Sequence, residues 1–152
     1  MHIGHYIGLL HHSQQCLIEA YRTVADAHAD EPDVRIDCTK FAERTEQHEA
    51  KVAPVHARYA DEAEDEPDNL LSTLFHGPRS GPIGLLRDLH DLYLAVSECD
   101  ICWTLISQAA RGARDEELVA IASECEGDVS VQLAWLRSRM KQAAPQALVV
   151  AP

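Results

Sequence analysis

Glycine, proline and positive charge are all scarce in this chain. Its seven glycines and seven prolines fall in a few places along 152 residues, which favours long helices joined by punctuated connections. Lysine and arginine number 13 against 25 aspartates and glutamates, so the formal net charge is −12. Because no basic stripe is present to neutralise phosphates, we expect no nucleic-acid partner and no binding to an anionic membrane surface.

Segments that would direct the chain into or across a membrane are also missing. Residues 1–15 are interrupted by histidines and lack the continuous apolar run of a secretory signal. No stretch has the length of an uncharged transmembrane helix. The five cysteines form an odd set without the dense spacing of a disulfide scaffold. We therefore expect a soluble, cytoplasmic protein with reduced thiols.

The chain does contain the apolar periodicity of long helices. One stripe with alternating spacings of three and four residues predicts a helix over residues 33–59 that packs in a bundle. The length of the chain suits one domain. We predict an all-α, antiparallel four-helix bundle over residues 1–142, followed by a tail, 143–152, that is either disordered or docked on a neighbour. The helices are predicted over residues 4–28, 33–59, 82–110 and 115–141.

The second and third helices are separated by a long connection. Residues 60–81 include an acidic run and a glycine- and proline-rich loop, and residues 69–76 are compatible with a short helix. At an extended reach of about 3.3 Å per residue, the connection is long enough to traverse a bundle. Both a crossover topology and up-down-up-down packing with an elaborate loop fit this length.

Four antiparallel helices with a long second connection resemble the ferritin-like superfamily in layout. The resemblance covers nearly the whole chain and implies that family's fold. Its di-iron members bind metal through one inward glutamate from each of two helices and a Glu-x-x-His pair from each of the other two. Here Thr45 stands three residues before His48, where that motif has glutamate, and the fourth helix contains no histidine. The resemblance therefore implies a bundle whose metal site is missing or rearranged.

Polar residues interrupt the apolar stripes near their centres, and they predict a buried polar layer. An unpaired polar group in a core costs about 1–3 kcal/mol, so such residues need partners. We interpret the layer as a device that fixes the register of the helices, as single polar residues do in coiled coils. This interpretation includes no catalytic residue and no cofactor. The predicted members of the layer are Gln14, Thr45, His48, Asp128 and Gln132.

A metal-binding bundle is the alternative hypothesis. It would hold iron, manganese or zinc and act as an oxidoreductase or a metal carrier. His48 and Asp128 would be its core ligands, and rotation of the helices would recruit Glu49, Glu98 or Glu124. A weaker possibility is a soft-metal site formed by Cys99 and Cys125, although buried cysteines more often serve as small apolar residues.

The amino-terminal histidines form another cluster. His5 and His12 share a helix face with Glu19 at heptad spacing, and His11 lies nearer the core. Rings seven residues apart are separated by about 10 Å along a helix, too far for one ion to bridge. We therefore interpret this face as solvated and polar.

The third helix is apolar on two sides. Leu94, Ile101 and Leu105 lie on nearly the opposite side from its core stripe, and a helix of this kind is usually buried on both sides. One bundle covers only one side, so we predict an isologous homodimer formed through these residues. The function expected from the sequence is that of a binding or structural homo-oligomer rather than of a catalyst.

Overall fold

Four α-helices make up most of the chain in the computed structural model, which describes residues 2–60 and 75–151. Within these residues there is no strand, and the prediction of an all-α four-helix bundle is confirmed. No helix in the described part is long and apolar enough to cross a membrane. The elements are α1 (Ile3–Ala27), α2 (Pro32–Tyr59), α3 (Gly81–Ala113), α4 (Glu116–Pro145) and a π-helical turn, Gln146–Val150.

Local sequence chemistry explains where the helices begin and end. Proline occupies the first turn of α2 and of α3, where its missing N–H would have no helical partner. Between α3 and α4, Arg114 adopts a left-handed backbone with φ of 56°, which closes the end of α3. The Asp115 carboxylate then accepts a hydrogen bond from the backbone N–H of Leu118 and caps the start of α4.

The predicted apolar stripes form the core of the bundle. The inward stripe predicted for α1 is buried at every position, including two polar residues. Its members are Ile3, Ile7, Leu10, Gln14, Leu17, Tyr21, Val24 and His28. In α2 only Phe41 is partly exposed, and its ring packs between Tyr21 and Trp135. Helical periodicity therefore identified the inward faces correctly, because burial follows the angular position of a residue on its helix.

Two helix pairs, α1 with α2 and α3 with α4, make the most extensive contacts, and α1 also packs along α3. The contact of α2 with α4 is lighter. The start of α1 lies against the end of α2, where a methyl group added at Gly4 would come within 2.8 Å of the Tyr59 carbonyl oxygen. The end of α1 meets the start of α3 at His28 and Asp88.

The structure differs from the predicted boundaries mainly near the carboxyl end. Helix α4 continues past residue 141 to Pro145 and passes into the π-helical turn, which contacts both α3 and α4. Ala143 and Ala147 are buried there, so residues 143–150 are a helical extension instead of a disordered tail. Helix α2 continues through Pro54 to Tyr59.

The predicted short helix over residues 69–76 lies largely outside the described residues. Only its last two positions, Phe75 and His76, are described, and neither is helical.

Candidate functional site: the polar core

His48 is the buried imidazole that the sequence singled out, and it is paired with Asp128. The His48 Nε2 atom lies 2.9 Å from the Asp128 Oδ2 atom, while the Arg44 guanidinium lies 3.7 Å from the same oxygen. Burial lowers the pKa of His48, and the hydrogen bond to Asp128 acts in the opposite direction. The imidazole is therefore anchored between α2 and α4, with its neutral form favoured by burial.

The other predicted members of the polar layer do not join this pair in one network. The Thr45 hydroxyl donates to the Phe41 carbonyl of its own helix. The Tyr21 hydroxyl donates to the Gln132 side-chain oxygen at 2.8 Å, which links α1 to α4. Gln14 is buried, and neither of its amide atoms has a hydrogen-bond partner among the described residues.

The carboxylates proposed as recruited metal ligands are engaged elsewhere or lie apart. Glu49 is 2.8 Å from the Nε2 atom of His11, and Glu124 is 2.5 Å from the Lys51 amine. Glu98 faces a groove between α1 and α3 with a cavity volume of about 460 Å³. Within residues 2–60 and 75–151, no three histidine, cysteine, aspartate or glutamate side chains are grouped so that they could hold a metal ion.

The cysteines of the described chain are free thiols, and four of the five are buried. Burial raises the pKa of Cys38, Cys102 and Cys125 to about 12. The pKa of Cys99 is also raised, by burial first and then by Cys102 and other neighbouring acidic groups. These thiols stay protonated at neutral pH, and a protonated buried thiol behaves as a small apolar side chain.

The amino-terminal histidines occupy a different environment from the one predicted. His5 is buried and stacks on His2, with ring centroids 5.7 Å apart, so the prediction of a solvated face is wrong for this residue. At the neighbouring Gly4, the lack of a side chain lets the last turn of α2 approach the first turn of α1. The His11 and His56 rings are also in contact, with centroids 4.9 Å apart and planes tilted by 35°.

An ionic cluster around two buried carboxylates at the start of α3 was not predicted. The Asp88 carboxylate, fully buried, lies 2.8 Å from the His28 imidazole. It also accepts hydrogen bonds from the backbone N–H and the guanidinium of Arg79. The same guanidinium donates to Asp91, which pairs with Arg87 as well. We call His28, Arg79, Asp88 and Asp91 the end cluster.

A sequence signal for the end cluster did exist. Asp88 and Asp91 are three residues apart on the inward face of α3, interleaved with the core residues Leu89 and Leu92. Two acids among core positions predict buried cationic partners, since buried charges are found paired. The partners themselves come from distant parts of the chain and have no such local signal.

The second apolar side of α3 is exposed to solvent. Leu94, Ile101 and Leu105 are 41%, 58% and 44% exposed, while the opposite side of the same helix forms the core. Leu94 and Leu105 are 11 residues apart, and Ile83, 11 residues before Leu94, lies on the same side and is also exposed. We call Leu94, Ile101 and Leu105 the α3 outer face.

Comparison of the chain with protein-family models, with curated proteins and with solved structures found no match.

Proposed function

We propose that this protein is a binding or structural homo-oligomer that assembles through the α3 outer face. The observation that supports the proposal is the exposure of three large apolar side chains in register on one helix. Single exposed apolar residues are common on proteins, whereas an aligned set on a long helix is typical of an interface. A core stripe on the opposite side already holds α3 in the bundle, so the outer face is available to a partner.

A second copy of the chain is the partner that we propose for this face. In an isologous pair, a residue on one copy meets its symmetry counterpart on the other. Antiparallel pairing of two α3 helices about an axis near residues 99–100 sets Leu94 of one copy opposite Leu105 of the other. Ile101 then lies close to the axis, where the contact is best shielded from water.

We further propose an antiparallel, ferritin-like arrangement of the four helices with a crossover connection. The start of α1 lies against the end of α2 at Gly4 and Tyr59, whereas the end of α1 meets the start of α3 at His28 and Asp88. Helix α2 therefore ends at one end of the bundle and α3 begins at the other. The 21 intervening residues reach up to about 69 Å, more than the roughly 42 Å length of α2.

The state of the polar core supports a non-catalytic role. The His48 imidazole is held by Asp128 within the core, and the buried thiols have pKa values far above neutrality. Catalytic bases and nucleophiles work best with a pKa near the operating pH and with access to substrate. These groups are suited to setting the register of the helices.

Substitution of Ile101 tests the assembly. Two facing glutamates at the centre of the interface would repel each other and remain hydrated, so Ile101→Glu should reduce the molar mass measured by light scattering to that of one chain. Val131→Glu is the matched control, since Val131 is equally exposed but lies on α4. It should leave the mass unchanged.

Because both positions are exposed, neither variant should lose helical content by circular dichroism. A wild-type protein that is already monomeric, or an Ile101→Glu variant that keeps the wild-type mass, would contradict the proposal.

A further inference from the structure

Two buried polar side chains in the middle of the bundle have unused hydrogen-bonding groups. The amide oxygen and nitrogen of Gln14 are unpartnered in the described structure, and so is the indole N–H of Trp103. Gln14 is 1% exposed and Trp103 is fully buried. Buried groups of this kind are nearly always satisfied in native proteins, by protein atoms or by ordered water.

The packing of α1 on α3 brings these two side chains to the same depth. His28 contacts Asp88, and Ala20 and Ala95 line the same groove between α1 and α3. The two helices run in opposite directions, so the numbers of two residues at the same level add up to about 115 or 116. The position on α3 level with Gln14 is therefore residue 101 or 102, one or two residues before Trp103. One residue corresponds to a rise of about 1.5 Å along a helix, a small offset for two long side chains.

We propose that one internal water molecule binds between Gln14 and Trp103 and joins α1 to α3. The water accepts a hydrogen from the Trp103 indole N–H, which is a donor only. It donates a hydrogen to the Gln14 amide oxygen and can also accept one from the Gln14 amide nitrogen. Three such bonds are the usual number for a buried water.

The chemistry of the site selects water over other occupants. Its groups are neutral, and a single amide oxygen is the only strong metal ligand among them, so a cation would be poorly coordinated. Both side chains are shut off from solvent, which leaves no open route for a larger molecule. The Gln132 amide nitrogen is also unpartnered, but its side chain is bonded to Tyr21, seven residues and about 10 Å from Gln14, and belongs to another level.

Nuclear magnetic resonance of the full chain tests the proposal without a variant. The Trp103 indole proton and the Gln14 side-chain amide protons should each show a cross-peak with water. The signs of these cross-peaks in laboratory-frame (NOE) and rotating-frame (ROE) spectra should be those of dipolar contact with long-lived water and not those of proton exchange. Trp103→Phe assigns the indole resonance. Absence of the water contact from both groups would overturn the proposal.

A matched pair of substitutions locates the water. Gln14→Leu removes both amide atoms at nearly constant volume and should abolish the water contact of the Trp103 indole. Gln15→Leu, one residue along and exposed to solvent, should leave that contact at wild-type intensity. Persistence of the contact in a folded Gln14→Leu protein would show that Gln14 does not hold the water. If Gln14→Leu does not fold, the wild-type cross-peaks alone decide.

Discussion

The middle of the bundle and its end bury polar groups in opposite ways. In the middle, Gln14, Trp103 and Gln132 are neutral and carry unpartnered atoms. At the end, the cluster around Asp88 is charged, and its carboxylates are bonded from several sides. A buried neutral group left unpaired costs far less than a buried unpaired charge. The free energy of unfolding should therefore fall when a charge is removed from the end cluster, and also when a charge is created in the middle of the bundle.

Removal of the Asp88 carboxylate should have the largest effect. Asp88→Ala leaves the buried His28 imidazole and the Arg79 backbone N–H without their acceptor, which should lower the free energy of unfolding by about 3–5 kcal/mol. Urea unfolding followed by circular dichroism measures the loss. The control Asp26→Ala removes an exposed carboxylate from α1 and should change stability by less than about 0.5 kcal/mol. Equal effects of the two variants would show that the end cluster contributes little.

Raising the pH favours ionisation of the buried Cys38 thiol, which would place a negative charge inside the bundle. The pKa of Cys38 is about 12 in the folded protein against an ordinary value of 9.0. Between these values the unfolded chain releases this proton while the folded chain keeps it, so stability falls as pH rises. Below about pH 8 both states keep this proton, and the thiol contributes almost no pH dependence.

Cys38→Ala isolates this contribution. In unfolding experiments with reductant from pH 9 to 11, the wild type should lose on average about 1 kcal/mol per pH unit more than the variant. Cys16→Ala, at a half-buried thiol, should reduce the slope by less. Parallel stability curves for wild type and Cys38→Ala would mean that the thiol ionises freely in the folded bundle.

Creation of positive charge in the middle should have the smallest effect. Because burial lowers the pKa of His48 below its ordinary 6.5, the unfolded chain gains a proton before the folded chain does. Stability is therefore complete above about pH 6.5 and declines as pH falls toward the lowered pKa. His48→Gln should flatten the pH dependence of the unfolding midpoint between pH 6.5 and 5.

His56 is the matched control for this titration, because its pKa is also lowered, by burial and by His11. His56→Gln should flatten the curve separately, and the two effects should add. A pH dependence that is unchanged in His48→Gln would show that Asp128 compensates fully for burial.

Helical periodicity predicted the core, because it is a local property of the sequence. The inward faces of α1, α2 and α3 were assigned correctly from spacing alone. Spacing also placed Leu94, Ile101 and Leu105 on the side of α3 that the bundle does not cover, and they are exposed there. The sequence placed His48 and Asp128 in one polar layer with Gln14, Thr45 and Gln132. The structure pairs the first two and leaves Asp128 partly exposed. Phase fixes the face of a helix on which a residue lies, and that was sufficient for these residues.

Contacts between distant segments were beyond this reasoning. The partners of Asp88 come from residues 60 positions away and from the irregular segment before α3, neither of which has a periodic signal. The burial of His5 and the close approach of α2 to Gly4 were both missed. The isolation of Gln14 depends on the depth at which α1 sits against α3. Each of these follows from three-dimensional packing that one helix does not encode.

The His28–Asp88 contact also bears on how the chain folds. The pairs α1–α2 and α3–α4 are each joined by only a few residues, so little loop-closure entropy opposes their formation. Contact between His28 and Asp88 instead closes a loop of 60 residues. We expect the two hairpins to form first and their docking to set the folding rate. Because the His28–Asp88 contact joins the two hairpins, Asp88→Ala should act on their docking and not on the formation of either hairpin.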